Sequence, residues 1–319
     1  GVIVSGGEDR LVRRWRLDEA APMPGVWTVP SPVSALAVSR EDRVAVGDTE
    51  GTSTVWQLGV RNPLWRFADD AKGKAVAVVS GLAFSPQGMK LVSASTDGLL
   101  RVWNTPPQPV VSSLRDHDGA VTTMEWNPDG RRILTAGADR HLRVYDVNTQ
   151  ATIHDLQDEE APAAAAAFAP PGEILVLTRK GGVRRYQEES GEQLASTALA
   201  VPRVQAAFID RTARRSAIAA GNNALIWDLI AGTQQRSFPH PQPVSAVSVS
   251  ADGKWLATGC ADQRVRVIDI DRGVIVRTLN VSGAAIFALR FSADGRHLIA
   301  GGDGQRPRRD AREPGHGPP

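Results

Sequence analysis

LVRRW (residues 11–15) is the first of seven short β-rich stretches that each end in an aromatic or large apolar residue. The other six are STVW ending at Trp56, LRVW at Trp103, LRVY at Tyr145, VRRY at Tyr186, ALIW at Trp227 and VRVI at Ile268. Successive ends lie 41, 47, 42, 41, 41 and 41 residues apart. A repeat of this length predicts radial or stacked units, because one unit cannot bury its apolar face alone.

Each unit contains four short strand patterns. In the unit that ends at Tyr145, VTTMEW (121–126) reads as an inner strand and Asn127-Pro128-Asp129-Gly130 as a turn, since Pro fixes φ and Gly tolerates positive φ. ILTA (133–136) and the stretch to Tyr145 are the second and third strands, and the more polar ATIHDL (151–156) is the fourth. Seven such units predict four-stranded blades packed around an axis.

Charge, cysteine content and hydrophobicity limit the kinds of partner and compartment that fit this chain. The 319 residues carry 37 basic and 35 acidic side chains, a net charge of +2, which favours neither nucleic acid nor an anionic membrane. Cys260 is the only cysteine, so an intramolecular disulfide is excluded, and no apolar run reaches the roughly 20 residues of a membrane helix. We expect a cytoplasmic protein, and the richness in Ala, Arg, Gly and Pro suggests a bacterial source.

The stretch from Asp116-His117 through Ala136-Gly137-Ala138-Asp139 to Tyr145-Asp146 resembles a unit of the WD-repeat family. The resemblance extends over residues 1–302 and implies a β-propeller, usually of seven blades, that serves as an interaction platform and not as a catalyst. We therefore expect an all-β, seven-bladed β-propeller of four-stranded antiparallel blades at 1–302 and a flexible Pro-, Gly- and Arg-rich tail at 303–319.

The resemblance also implies a hydrogen-bonded polar set inside each blade. One unit carries all four members, and two others carry parts; together they are His117, Thr135, Asp139 and Tyr145, then Ser93, Asp97 and Trp103, then His240, Thr258 and Asp262. The first set looks superficially like a Ser-His-Asp triad. Because its hydroxyl lies in mid-strand and the set repeats with the fold, we interpret it as structural. We expect Trp15, Trp103, Tyr145 and Trp227 to pack between blades.

The surface most open to a partner is the upper rim. It comprises the turns between second and third strands and the links from each outer strand to the next inner strand. The 47-residue step places an extended link, Asp69 to Lys74, on it. The candidate contact residues are Arg10, Lys72, Lys74, Asp118, Arg140, Glu160, Arg203, Asn222 and Gln263.

The functional prediction is a non-enzymatic scaffold or sensor that binds protein or peptide on the upper face. No histidine pair has metal-ligand spacing, and no phosphate loop or nucleophile motif occurs, so we expect no metal, cofactor or catalytic residue. One alternative is an enzyme or small-ligand receptor that uses the axial channel, where Glu125 and Arg290 are the main charged inner-strand residues. Another is nucleic-acid binding through the Arg-rich tail.

The two ends of the chain pose a counting problem. The chain begins with second- and third-strand patterns and finishes with an inner strand and another second strand. Joining them completes a blade but leaves one second strand too many. Either Val2–Gly6 or His297–Gly301 is displaced, or the array continues upstream. We expect the chain to belong to a longer protein, with a fused upstream effector domain.

Overall fold

The structure is a computed structural model. Its described residues form β-strands and the turns that connect them, and they include no helix. These are residues 2–6, 10–16, 26–68, 77–105, 112–158, 160–201, 203–210, 214–250, 252–280, 286–291 and 297–302. The predicted tail at 303–319 and the predicted contact residues Lys72 and Lys74 lie outside them.

Six antiparallel sheets each have four strands in chain order. The first two are β4 (Val33–Val38), β5 (Arg43–Asp48), β6 (Ser53–Gln57) and β7 (Trp65–Phe67), then β8 (Val79–Phe84), β9 (Lys90–Ser95), β10 (Leu99–Asn104) and β11 (Ser112–Arg115). The next two are β12 (Val121–Trp126), β13 (Arg132–Gly137), β14 (His141–Asp146) and β15 (Thr152–Gln157), then β16 (Ala163–Ala169), β17 (Glu173–Thr178), β18 (Gly182–Gln187) and β19 (Gln193–Ala198). The last two are β20 (Ala206–Ile209), β21 (Arg215–Ala220), β22 (Asn223–Asp228) and β23 (Thr233–Pro239), then β24 (Val244–Val249), β25 (Trp255–Cys260), β26 (Arg264–Asp269) and β27 (Val274–Asn280).

A further sheet joins the two ends of the chain. Its strands are β1 (Val2–Gly6), β2 (Leu11–Arg16), β3 (Trp27–Thr28), β28 (Ile286–Phe291) and β29 (His297–Gly302), in the order β28-β29-β1-β2-β3. The extra second strand is therefore not displaced: β1 pairs parallel to β29, with Val4 opposite Ile299. The prediction of four antiparallel strands holds for six sheets and is wrong for this one, because both second strands find a partner edge here.

The sheets surround an axis. Each innermost strand contacts the next, from β4 through β8, β12, β16, β20 and β24 to β28, and β28 contacts β4. The fold is thus an all-β propeller with six four-stranded blades and a sheet that holds both chain ends. In this arrangement the first and third connections of each blade form the lower face, and the second connections and the interblade links form the upper rim.

Burial follows the position of a strand within its blade. The second strands of all six four-stranded blades share one pattern, a half-buried residue followed by five buried ones. Both faces of these strands pack against neighbouring blades, so apolar residues fill both faces. The outer strands β19, β23 and β27 are mostly exposed, and β15 is half exposed. The sequences of β15, β19 and β23 are correspondingly polar, whereas β27 exposes the apolar Val274 and Ile275.

The aromatic ends of the repeat lie in the core. Trp103, Tyr145 and Trp227 are buried, as predicted, and belong to clusters that join adjacent blades. The side chain of Trp15 lies outside the described part. Trp27 is also buried, and its ring stacks on Trp56 at a centroid distance of 5.3 Å.

Candidate functional site

The turns of the upper rim place long polar side chains on left-handed backbone. The residue five positions before the repeat end has φ of 62° at Arg10, 68° at Arg140 and 65° at Gln263. At the same position three other units have glycine, namely Gly51, Gly98 and Gly181, also with positive φ. The turn geometry therefore belongs to the fold, and the choice of residue varies from blade to blade.

Glycine adopts this backbone without strain, whereas a residue with a Cβ costs on the order of 1 kcal/mol or more. Arg10, Arg140 and Gln263 are nevertheless exposed. Two other non-glycine residues with positive φ, Asp42 and Gln150, lie in turns of the lower face. The three rim residues are thus positions where a long polar side chain is present despite a backbone cost.

The remaining rim candidates that the structure describes are also exposed: Asp118, Glu160, Arg203 and Asn222. Glu160 differs from the others because its carboxylate accepts from Arg184 at 2.8 Å. Arg184 is itself largely buried and also pairs with Asp158. Glu160 therefore ties a link to a strand and has less freedom to meet a partner.

One predicted polar set is assembled directly below the rim. Nδ1 of His117 lies 3.0 Å from both carboxylate oxygens of Asp139, and Nε2 lies 2.8 Å from Oγ1 of Thr135. In the neutral tautomer that carries its proton on Nδ1, Nδ1–H donates to Asp139 and Nε2 accepts from the Thr135 hydroxyl. Nη1 of Arg143 lies 2.7 Å from the same Nδ1. The backbone N–H of Asp118 also donates to Asp139, at 3.1 Å. The carboxylate thus connects the rim turn to the preceding link.

Charges in this set shift the ionisation of its members. Burial lowers the pKa of His117, against the opposing effect of Asp139. Burial alone would raise the pKa of Asp139, but hydrogen bonds from Arg143 and His117 lower it to about 2. Asp139 is therefore a carboxylate and His117 a neutral imidazole at neutral pH. A fixed anion with a buried neutral base and a mid-strand hydroxyl holds the turn in place.

Tyr145 is the exception to the predicted set. Its ring is fully buried, and Thr135 lies close enough to its hydroxyl to oppose the effect of burial on the pKa of Tyr145, but the hydroxyl makes no hydrogen bond of regular geometry with a described residue. Tyr145 thus lies beside the set without a regular hydrogen bond to it, and its membership of the set stays a prediction. Burial raises the pKa of Tyr145, so the hydroxyl stays protonated. Arg143 is a further member of the set, because its Nη1 donates to Asp139 at 2.9 Å.

The two partial sets form in part. Nε1 of Trp103 donates to Oγ of Ser93 at 3.0 Å, while Asp97 pairs with Arg101.

His240 lies 2.8 Å from Thr258 through Nε2, but its Nδ1 faces the carbonyl oxygen of Phe238 at 2.9 Å. Asp262 is bonded to Arg266 and not to His240, so the predicted contact between that histidine and aspartate is wrong.

A series of buried arginines was missed in the sequence analysis. Each lies two residues before a repeat end and is less than one tenth exposed: Arg101, Arg143, Arg184 and Arg266. Three of them pair with the aspartate four residues earlier, and Arg184 pairs with acids of the preceding link. The signal was present as the repeated Arg in LRVW, LRVY, VRRY and VRVI. It was passed over because arginine is seldom buried.

A glycine makes room for the best-formed set. A Cβ on Gly137 would collide with Oδ1 of Asp139 and Nδ1 of His117. Among the described residues no group of three or more His, Cys, Asp or Glu could hold a metal ion. The same residues include no helix that could cross a membrane.

Comparisons with known proteins agree with this architecture. The WD40 family model (WD domain, G-beta repeat) matches residues 71–104, 108–146, 232–269 and 273–305. The chain is 30% identical over 89 residues to WD repeat-containing protein 90 of Mus musculus, which is 26% of this chain and 5% of that protein. It is 33% identical over 61 residues to the Ribosome biogenesis protein BOP1 homolog of Oryza sativa subsp. japonica, 19% of this chain and 9% of that protein.

The chain thus aligns with a small part of the length of these relatives. The matched repeats include the units that end at Trp103, Tyr145 and Ile268, which hold the polar sets, and exclude those that end at Trp56, Tyr186 and Trp227. By repeat spacing these units have Val46, Val176 and Ala217 at the position of the hydroxyl residue. The strand register, however, puts Ile218, opposite Leu225, at the position expected for Ala217. With four matched repeats on a propeller, the chain belongs to the WD40-repeat family.

Proposed function

We propose that this chain is a non-enzymatic interaction module that binds a protein or peptide partner on its upper rim. The observation that carries the proposal is the exposed Arg10, Arg140 and Gln263 on left-handed backbone. A strained position that holds a long polar side chain suggests a role for that side chain outside the fold. Propellers of this family typically bind proteins and are typically non-catalytic, which supports the same reading.

The different roles of strand and rim side chains support the upper rim as the binding face. Strand side chains fill the interblade clusters, so contact through them would cost packing. Rim side chains are exposed, and the buried Asp139 and Arg143 beneath them fix the turn. Arginine on a preorganised surface is a frequent centre of binding energy at protein interfaces.

The test is a double variant, Arg140→Ala with Arg203→Ala, used to capture partners from a lysate of the source organism. We expect its stability to stay within about 0.5 kcal/mol of the parent, as for ordinary surface changes. Its main captured protein band should be lost.

The matched control is Arg131→Ala with Arg272→Ala, which removes two exposed arginines from the lower face. If the rim variant still captures the partner and the lower-face variant does not, the partner binds the lower face and the proposal is wrong.

We also propose that the ring has seven blades, the five-stranded sheet being the seventh. Contacts of β28 with β24 and of β29 with β4 support this closure. Hydrogen exchange provides the test: amides of Val2–Gly6 and His297–Gly302 should exchange as slowly as those of the second strands in the other blades. Rapid exchange of Val2–Gly6 alone would mean that this strand is not part of the ring. The fused upstream effector domain and the cytoplasmic location also remain proposals.

A further inference from the structure

The upper half of the axial channel is a cavity with an uneven distribution of charge. It has a volume of about 360 Å³ and is lined by innermost strands of several blades. Its described lining residues include two arginines, Arg179 and Arg290, with Gln205 and five serines and threonines, but no aspartate or glutamate. A cavity of this size falls within the range of ligand pockets, roughly 300–1,000 Å³.

Arg290 is an unusual residue for its position. It is the fifth residue of β28, opposite Ile299 of β29. At the same register of the other innermost strands are alanine at 37, 83 and 167, Ser248, Phe208 and Glu125. Arg290 is the one arginine of this ring of seven positions.

The guanidinium of Arg290 is held by weak contacts. It lies over the ring of Phe208 at 5.4 Å, and its Nη1 donates to the carbonyl oxygen of Leu289 at 3.0 Å. It forms no ion pair with any residue that the structure describes, and Glu125 acts on it only at longer range. The side chain is exposed within the channel, yet the surrounding strands enclose it closely enough to lower the pKa of Arg290.

Arg179 marks the way from this cavity to the upper rim. It follows β17 directly, in the turn between second and third strands, and is exposed. Its Nη1 lies 3.4 Å from the carbonyl oxygen of Gln205, which also lines the cavity. One arginine therefore lies at the mouth and another deeper in the same cavity.

Only the more distant charge of Glu125 balances Arg290, and an anion that reaches its guanidinium gains charge-assisted hydrogen bonds. We infer that the upper half of the axial channel receives an anionic side chain of the bound peptide, with Arg290 as its counter-ion and Arg179 at the entrance. The inference rests on the proposed function, because the peptide must approach across the upper rim. A carboxylate and a phosphate share this chemistry.

The experiment uses three sets of short synthetic peptides with identical, acid-free flanking mixtures. Their central residue is glutamate, glutamine or phosphoserine, and retention of the full chain on each immobilised set is measured. We expect the glutamate or the phosphoserine set to retain at least about tenfold more protein than the glutamine set. The stronger of the two identifies carboxylate or phosphate as the natural anion.

Two variants locate the effect. Arg290→Gln should abolish the preference, and so should Thr123→Glu, which adds a carboxylate to the cavity lining if the first variant fails to fold. Arg272→Gln, which removes one exposed arginine from the lower face, should keep the preference.

Equal retention on all three sets, including none, would overturn the inference, as would a preference that survives both cavity variants. Loss of the preference in the lower-face variant alone would also overturn the inference. Partner capture from lysate that depends on Arg140 and Arg203 would in each case leave the proposed function intact. If capture does not depend on Arg140 and Arg203 but the peptide preference is retained, the rim arginines are not the binding residues, and the anion site in the channel still stands.

Discussion

Nη1 of Arg143 lies 2.9 Å from Oδ2 of Asp139, and both side chains are less than one tenth exposed. The same spacing of aspartate and arginine recurs in Asp97 with Arg101 and in Asp262 with Arg266. In each case the aspartate lies in the rim turn and the arginine in the strand that follows. The pair therefore joins a surface turn to the blade interior, and it is the common element of the polar sets in this chain.

Asp139→Ala should lower the free energy of unfolding by about 1–3 kcal/mol, because the buried side chains of His117 and Arg143 lose their acceptor, as does the exposed N–H of Asp118. Urea unfolding of variant and parent measures the difference.

The matched control is Asp97→Ala, since Asp97 is 30% exposed and its arginine pair is longer, at 3.5 Å. We expect a smaller loss there. An unfolding midpoint for Asp139→Ala equal to that of the parent would contradict the assignment.

Stability should fall on acidification in two stages. The folded-state pKa values of His117 and His240 are below their usual 6.5, mainly through burial, so the unfolded chain binds more protons as pH falls through that value. This stabilisation is complete above pH 6.5 and is lost below it.

The second stage belongs to Asp139. Its pKa is about 2 in the folded chain against 3.8 unfolded, so its contribution is present above pH 3.8 and is lost as pH falls towards 2.

Urea midpoints measured from about pH 8 to about pH 5 test the histidine stage. His240→Gln should flatten the slope near pH 6, because it removes one of the two titrating groups. A slope identical to that of the parent would show that His240 is not titrating as described.

Repeat length and turn residues were sufficient to predict most of the fold. The inner strand Val121–Trp126 has the bounds that the sequence indicated, because its apolar stretch ends at an Asn-Pro-Asp-Gly turn. The sequence did not predict the pairing of Val2–Gly6 with β29. Both segments have the pattern of a second strand, and only tertiary contacts determine where each one pairs. The contact of His240 with Asp262 was mispredicted because spacing gives proximity but not the choice of hydrogen-bond partner.

Arg140→Gly should keep or raise stability by up to about 1 kcal/mol, because glycine removes the cost of left-handed backbone at φ 68°. Arg140→Ala should be close to neutral, since alanine has the same Cβ as arginine. Thermal unfolding distinguishes the two variants.

The pair of variants separates folding from binding. Both lack the guanidinium, so both should weaken partner capture in spite of their different stability. If Arg140→Gly binds a partner as the parent does, the strained arginine is not kept for recognition.

Tyr145→Phe should leave stability unchanged or raise it by up to about 1 kcal/mol. The hydroxyl is buried without a hydrogen bond of regular geometry to a described residue, so its removal relieves a desolvation cost while the ring still fills the interblade cluster. Thr135→Val is the contrasting change within the same blade. It keeps the volume of Thr135 but removes the hydroxyl that lies 2.8 Å from His117, and it should cost about 1–3 kcal/mol. Urea unfolding of both variants provides the measurement. A loss for Tyr145→Phe as large as that for Thr135→Val would mean that the tyrosine hydroxyl is bonded after all, and that the polar set includes it as the family resemblance implied.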